Sequence, residues 1–586
     1  MRYRDLSRAI LPHLPAAALL ACLACQAVMV GRVHSNAYDE LAYVGAGYSY
    51  AAAGTYGLDI AEHPPLYKAL AGAALMPLQI PFSEKALGWA EGNSYRFGSW
   101  LLYRSGFDPM RILAFARIPN LVAALLLGIG VYLWALQLFG LPAAYLSLCL
   151  FCFEPLIVTH ASFVSLDMGV AVFAFFCAWL YERHDESGRY PPLVGAALML
   201  GLGLLTKASM LMVVPALALA SAARTGPDKK ARLAAARDFA FFLAGGVLVA
   251  LLGMRLAGAT PAATARLVLD RLPELAGKGA YPLPPSFLMG ETRQGTFYSY
   301  YAVAVLVKST LPFLILAGLS AAAWPRLGSA RGKWAWILAP VFFFLLIPSI
   351  SHKQLGLRYA LAIYPFLCVG ISAVAAFSAR RLLPVPALAA LCAMLAGWHA
   401  GETLAALPHT HAYFNELAGG VSGGHRWLVE SDLDWGQDMP LLGEYLRKEG
   451  RPETITALMT NADLDYWIGP HQDLVVPWSI GDPYSHVNSP EPRKEYLLVS
   501  ATYRSGCGLY DTGLFKWLDE RRPEALLAGS VFVYDVTKDA SAHNRLGLIY
   551  YALRQWDLAL RECRRAASLS PGGIGKAAKT CRLIGT

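Results

Sequence analysis

Charged side chains are scarce in this chain: Asp, Glu, Lys and Arg make up 16% of its 586 residues. A soluble globular protein carries about a quarter, so a soluble fold of this length is excluded. Hydrophobic residues reach 56% and mean hydropathy is +0.41, values that fit a polytopic membrane protein. No Lys/Arg stripe interleaved with aromatics is present. The net charge of +9 therefore reads as a bias of cytoplasmic loops, not as nucleic-acid binding. Cysteine is used as an apolar residue. Of ten, Cys22, Cys25, Cys149, Cys152, Cys177, Cys368 and Cys392 sit inside apolar runs, where they pack as small hydrophobes. Cys507, Cys563 and Cys581 lie in the tail. No CxxC with metal spacing stands outside a span, so neither a metal site nor a disulfide framework is expected. A Gly-Lys-Ser/Thr phosphate loop is missing too. Asp432-Leu433-Asp434 and Asp463-Leu464-Asp465 match only a bare DxD, too little for a nucleotide-sugar site.

What the chain does contain is apolar runs. Eleven are long enough to propose as spans: Leu11–Gly31, Arg117–Leu138, Leu141–Val158, Ser165–Tyr181, Pro192–Leu205, Ala208–Ala222, Phe239–Arg255, Tyr298–Leu319, Trp334–Pro348, Tyr359–Phe377 and Leu383–Ala400. The basic start (Arg2, Arg4, Arg8) favours an uncleaved first helix with its N-terminus inside. Three of the four loops then placed inside are rich in Lys/Arg: Arg224 to Arg237, Arg326 to Lys333, and Arg380-Arg381. An odd number of spans puts the tail outside.

The expected organisation is a transmembrane domain over 1–400, with long external loops at 32–116 and 256–297. In the first loop, Leu66 to Met76 is apolar but short, as an interfacial helix is. The Pro-rich stretch Tyr281 to Pro285 reads as irregular. A linker follows at 401–424 and a small α/β domain at 425–538. Its strands are expected at Trp427–Val429, Tyr496–Val499 and Val531–Tyr534, and its helices at Met439–Lys448 and Gly513–Glu520. In 540–586, Leu546-Gly547, Tyr550, Ala559, Ala566 and Pro571 fall at tetratricopeptide spacing, with Gly575–Leu583 as a cap. One such repeat is marginal by itself.

The chemistry-bearing residues collect on the external side. Asp39-Glu40 follows the first span, where a carboxylate can act as a base at the membrane surface; a solvated loop end is the plainer alternative. His63-Pro64-Pro65-Leu66-Tyr67-Lys68 follows. Lys68 can reach a lipid phosphate or snorkel to headgroups, and snorkelling is preferred. Lys207 sits between two apolar spans, where charge is costly and therefore a functional candidate. Lys353 and Arg358 form a second basic cluster, against the positive-inside trend. A phosphate ligand would explain them, Arg as a fork and Lys as a point charge; headgroup contact is the alternative for Lys353. Lys308 is a weaker candidate. The acids of Asp432 to Asp438 around Trp435 could hold a sugar or cation, or cap and dock a domain, and the structural role is preferred.

Asp39-Glu40, His63-Pro64-Pro65-Leu66, Ser165-Leu166-Asp167 and Leu205-Thr206-Lys207, in this order, resemble the protein O-mannosyltransferase and aminoarabinose-transferase group. These are membrane glycosyltransferases of the C-type superfold, and the resemblance runs over most of Arg2 to Ala400. It implies a polyprenyl-phosphate sugar donor and transfer to a hydroxyl acceptor (protein, lipid or polysaccharide) on the non-cytoplasmic face of the plasma (inner) membrane. Asp39 matches the base position of that group. Glu40 would orient the base or the acceptor. Asp167 matches a second external acid that binds acceptor or a divalent cation; an N-terminal acid favoured by the helix dipole is an equal alternative. His63 would contact the donor or fix its loop. Arg358-Tyr359 resembles a pair found in the group. No organic cofactor is implied, and a divalent cation stays open. Partners are the donor, the acceptor, the bilayer and a protein held by the C-terminal repeat. A lipid-sugar transporter and a non-catalytic scaffold are the rivals.

Overall fold

The computed structural model describes residues 11–58, 63–225, 228–259, 285–323, 333–379, 385–475 and 486–570. They form two compact units. One takes the described residues within Met1–Arg32, Ala42–Leu283 and Gly295–Gly420; the other takes Val33–Leu41, Pro284–Gln294 and those within Val421–Thr586.

The larger unit is a bundle of apolar helices. Three helical runs, Leu11–Val33, Pro109–Phe139 and Lys229–Leu256, are long and apolar enough to cross a membrane. Two more candidates are bent: Leu141–Cys152 with Pro155–Ser162 at 59°, and Tyr300–Lys308 with Leu311–Ala323 at 114°. The first break sits where proline dictates: Pro155 cannot donate to the preceding turn, and Glu154 before it is in extended backbone. The second falls at Ser309, in extended backbone, and the next helix opens at Leu311-Pro312. The remaining expected spans are helices Leu166–Ser187, Tyr190–Leu204, Ala208–Arg224, Ala335–Ile350, Ile363–Ala376 and Val385–Ala406. Helix thus replaces each expected run, but several are shorter than the roughly 17 residues a straight span needs. Small residues set the spacing: a Cβ on Gly201 would lie 2.4 Å from Val249 Cβ and 2.7 Å from the Gly246 carbonyl. Trp134, Phe175 and Phe366 lock the interior through ring contacts at 5.2 and 5.4 Å.

Within the first expected loop lie helices Glu40–Ala53, Leu66–Leu75, Ser94–Tyr103 and Pro109–Ala116. Leu66–Leu75 buries Tyr67, Lys68, Ala71, Gly72 and Leu75, so one face is packed against protein. The helix expected to run to Ala400 continues to Ala406, into the expected linker.

The second unit carries a hairpin, β1 (Ser286–Leu288) with β2 (Glu291–Arg293), and a five-stranded mixed sheet. Its strands are β3 (Glu453–Ala457), β4 (Gln472–Val475), β5 (Glu495–Ser500), β6 (Ala525–Leu527) and β7 (Val531–Asp535), in the order β4-β3-β5-β7-β6. β3 runs parallel to β4 and β5; β7 runs antiparallel to β5 and β6. Two local expectations fail. Trp427–Val429 is a turn and loop, because Trp427 and Leu428 hydrogen-bond back to Gly424. Gly513–Glu520 shortens to a single 3-10 turn, Lys516–Leu518. Helices Ala540–Ala552 and Trp556–Ser568 form the terminal hairpin and belong to the same unit as the sheet. No boundary at 538–540 separates them. Cys563 on the second helix is disulfide-bonded, contrary to the sequence expectation. Residues 281–284 and the expected cap 575–583 lie outside the described residues.

Candidate active site

Asp167 enters at the first turn of Leu166–Ser187, after Ser165 in extended backbone. That entry is braced from two sides. His160 Nδ1 meets Ser165 Oγ at 3.0 Å, and the Asn120 amide donates to the carbonyls of His160 (3.2 Å) and Ser165 (3.1 Å). Lys207 follows Tyr190–Leu204 in extended conformation, which ends the helix and frees its side chain to reach sideways. Its Nζ donates to Asp167 Oδ1 at 2.5 Å, with both side chains buried. Arg358 sits in the 3-10 turn Leu357–Ala360, launched by Gly356 at φ 83°. The Tyr359 ring receives both cations, Lys207 at 4.3 Å and Arg358 at 5.4 Å from its centroid. Asp167 feels both electrostatically.

Three of the sequence candidates are therefore brought together: Asp167, Lys207 and Arg358. Two cations face one carboxylate in a dry setting, and a buried pair of this kind is costly to assemble. Lys207 already neutralises Asp167, so a divalent cation there would have to displace it. Lys353 is half-buried on the same loop; its backbone is fixed by Ser351 Oγ (3.2 Å), and the Gln354 amide clamps both Phe297 backbone groups.

Lys68 corrects the snorkelling expectation. It is fully buried, with Nζ donating to the His63 carbonyl at 2.8 Å and lying 5.7 Å from the Tyr50 ring. His63 packs edge-on to Tyr43 at 5.7 Å. This pair ties its own loop together, which is the loop-fixing alternative for His63.

Asp39 and Glu40 belong to the second unit, on Val33–Leu41. Asp39 is half-buried and Glu40 buried. Glu40 Oε2 accepts the Ala37 N–H at 3.1 Å, a cap at the start of helix Glu40–Ala53. Glu40 thus has a structural duty, whereas Asp39 is held beside it.

Sequence reasoning missed several polar groups of the larger unit. Asn120 and His160 escaped because each is a lone polar residue in an apolar run. Glu154 is buried between the two halves of a bent helix pair, and neither carboxylate oxygen has a hydrogen-bond partner among the described residues. Lys308, which the sequence did offer as a weaker candidate, donates from Nζ to the His411 carbonyl at 2.8 Å and lies over the Phe414 ring at 4.4 Å. The signal available was the rarity of charge in such segments.

Residues 113–254 match the family model of dolichyl-phosphate-mannose-protein mannosyltransferases. No curated protein matches the chain. Among solved structures, ArnT from Cupriavidus metallidurans bound to undecaprenyl phosphate is 14% identical, with a TM-score of 0.46, over 89% of this chain and 97% of that one. An oligosaccharyltransferase from Archaeoglobus fulgidus in the apo form is 12% identical, with a TM-score of 0.45, over 85% and 71%. The S. cerevisiae protein O-mannosyltransferase Pmt1-Pmt2 complex bound to the sugar donor is 20% identical, with a TM-score of 0.32, over 47% and 39%. The matched segment carries Asp167 and Lys207 within its bounds.

Proposed function

We propose that the chain moves a sugar from a polyprenyl-phosphate donor to a hydroxyl acceptor on the non-cytoplasmic face of the plasma membrane. The observation that carries this reading is the buried Asp167–Lys207–Arg358 cluster on Tyr359, two cations against one acid. These two cations suit a phosphate leaving group, Arg as a fork and Lys as a point charge. The matched family takes its name from dolichyl-phosphate mannose, a donor of this kind. A disulfide at Cys563 fits an oxidising compartment for the tail.

In this mechanism the Asp39 carboxylate takes the acceptor hydroxyl proton as its oxygen bonds to the anomeric carbon. The bond from that carbon to the phosphate oxygen breaks, and polyprenyl phosphate departs as the anion. Lys207 and Arg358 stabilise the charge that develops on the phosphate. Attack from the opposite face inverts the anomeric centre. The acceptor class, whether protein, lipid or polysaccharide, is left to experiment.

The test is sugar transfer by the purified full chain in detergent with polyprenyl-phosphate sugars, for wild type and Asp39→Asn. Wild-type turnover that falls by about 10²–10⁴-fold in the variant is the expected result. Equal turnover removes Asp39 from the role. No turnover by wild type with any donor and acceptor pair favours a transporter.

A further inference from the structure

The Asp432–Asp438 segment has no part in the chemistry above, yet its contacts lead straight to the segment that bears Asp39. Ser35 N–H and Oγ–H both donate to the Gln437 carbonyl, each at 3.0 Å. Tyr38 N–H donates to the Trp435 carbonyl at 2.8 Å. From the other side, the Asn461 amide donates to the Tyr38 carbonyl at 3.3 Å. His34 Nε2 lies 3.4 Å from Asp438 Oδ1. Residues 34–38 are thus gripped at both ends, and the next residue is Asp39.

The gripping loop is itself fixed by its own side chains. Gln437 Oε1 accepts the Trp435 N–H at 2.9 Å, while its Nε2 donates to Asp438 Oδ2 at 2.6 Å and to the Leu433 carbonyl at 3.3 Å. One buried amide therefore closes the turn whose carbonyls do the gripping. Gly436 turns at φ 77°, and a Cβ there would come within 2.8 Å of the Met459 carbonyl oxygen. The loop is anchored to the sheet: Ser530 Oγ, just before β7, donates to Asp438 Oδ2 at 2.6 Å, and Thr460 Oγ1, after β3, donates to the Gly436 carbonyl at 3.1 Å. Asp434 Oδ2 accepts the Thr502 N–H at 3.1 Å, after β5.

We propose that the loop Leu433–Asp438, closed by Gln437, is the positioning element for the catalytic carboxylate of Asp39. This rests on the reading of Asp39 as the base. A base must stand within hydrogen-bond reach of the proton it takes, and a shift of about 1 Å is enough to cost it 10²-fold in rate. The sheet supplies the rigidity, the loop transmits it, and the backbone of 35–38 receives it. Gln437, Trp435 and Ser35 touch no substrate in this scheme and act only through Asp39.

The test uses the full chain in detergent with Gln437→Ala, and Ser35→Ala as a smaller lesion should the first not fold. Backbone hydrogen exchange of the peptide spanning 33–41 is read beside sugar transfer. Loosening of the grip raises exchange at Ser35 and Tyr38 by about tenfold. It also lowers kcat by about 10²-fold while donor KM stays within about twofold of wild type. Unchanged exchange overturns the proposal. So does faster exchange with undiminished kcat while Asp39→Asn is inactive, because the base then works without its cradle. If Asp39→Asn itself transfers sugar normally, the base reading falls, and the loop holds a non-catalytic segment. Exchange separates the first failure from the last without reference to activity.

Discussion

Lys207 and Asp167 are each other's nearest charge, so a single substitution and a double one say different things. Lys207→Met leaves Asp167 buried without its ammonium, an outcome that costs about 3–5 kcal/mol. The pair Asp167→Leu with Lys207→Met replaces both charges by apolar groups and recovers most of that loss. Thermal melts in detergent follow the stability, and sugar transfer follows the function. The double variant is expected to fold and to stay inactive; recovery of transfer would make the pair structural. A second residue sets a pH dependence. Burial pushes the Asp434 carboxyl up to about 7, partly offset by its hydrogen bonds to Thr502. The unfolded chain releases that proton near 3.8, so between these values the unfolded state binds fewer protons. Stability contributed by the neutral carboxyl is whole below pH about 4 and declines as pH rises to about 7, by about 4 kcal/mol in the limit. Asp434→Asn keeps an acceptor for Thr502 and removes the proton. Its melting temperature across this window is expected to be flatter than that of wild type.

At the scale of elements, the helices Glu40–Ala53 and Leu66–Leu75 cross at two glycines. A Cβ on Gly72 would sit 1.8 Å from the Gly47 carbonyl oxygen, and one on Gly47 would sit 2.1 Å from the Lys68 carbonyl oxygen. These are backbone atoms with nowhere to yield. Gly72→Ala is therefore expected to destabilise the bundle by about 3 kcal/mol or more, above the usual range for overpacking, as read by melting in detergent; a change under about 1 kcal/mol would refute this crossing. The sequence disclosed that an apolar helix lies at 66–76, but not this contact, since glycines in an apolar run carry no sign of what they face. The same boundary separates what was legible elsewhere. Apolar runs marked the expected spans of the bundle but not helices Glu40–Ala53, Ser94–Tyr103 and Pro109–Ala116, and the outward basic residues marked Lys207 and Arg358. Charge rarity flagged Lys68 equally well, yet its partner is the His63 carbonyl five residues away, a local choice that composition does not encode. Trp427–Val429 looks like a strand from side chains alone. Its backbone groups instead find partners in the turn from Gly424, which only the tertiary setting decides. Asn120 and His160, which brace the entry of Asp167, are single polar residues whose meaning appears only once the helices are packed.

At the scale of the whole molecule, the terminal hairpin is built into the sheet. Arg561, on helix Trp556–Ser568, donates to Glu562 on that helix, to Glu495 of β5 at 2.7 Å and to the Ser489 carbonyl at 2.7 Å. Glu562 also meets His543 at 2.7 Å and accepts from Gln472 of β4 at 3.0 Å, and Gln472 reaches Tyr550 at 3.0 Å. Two buried carboxylates thus share one buried guanidinium, whose removal leaves both acids short of charge. Arg561→Met is expected to cost about 3–5 kcal/mol. The more informative quantity is what unfolds. A hairpin stacked as an independent repeat would open alone and leave β5 protected. A hairpin sharing a buried charge network with β4 and β5 takes the sheet with it, because Glu495 belongs to β5 and Glu562 of the hairpin is tied to Gln472 of β4. Hydrogen exchange in this variant is therefore expected to rise together in peptides covering 495–500 and 556–568. Exchange confined to 556–568 would show the tail to be a separable module, with its inner faces free to bind another chain.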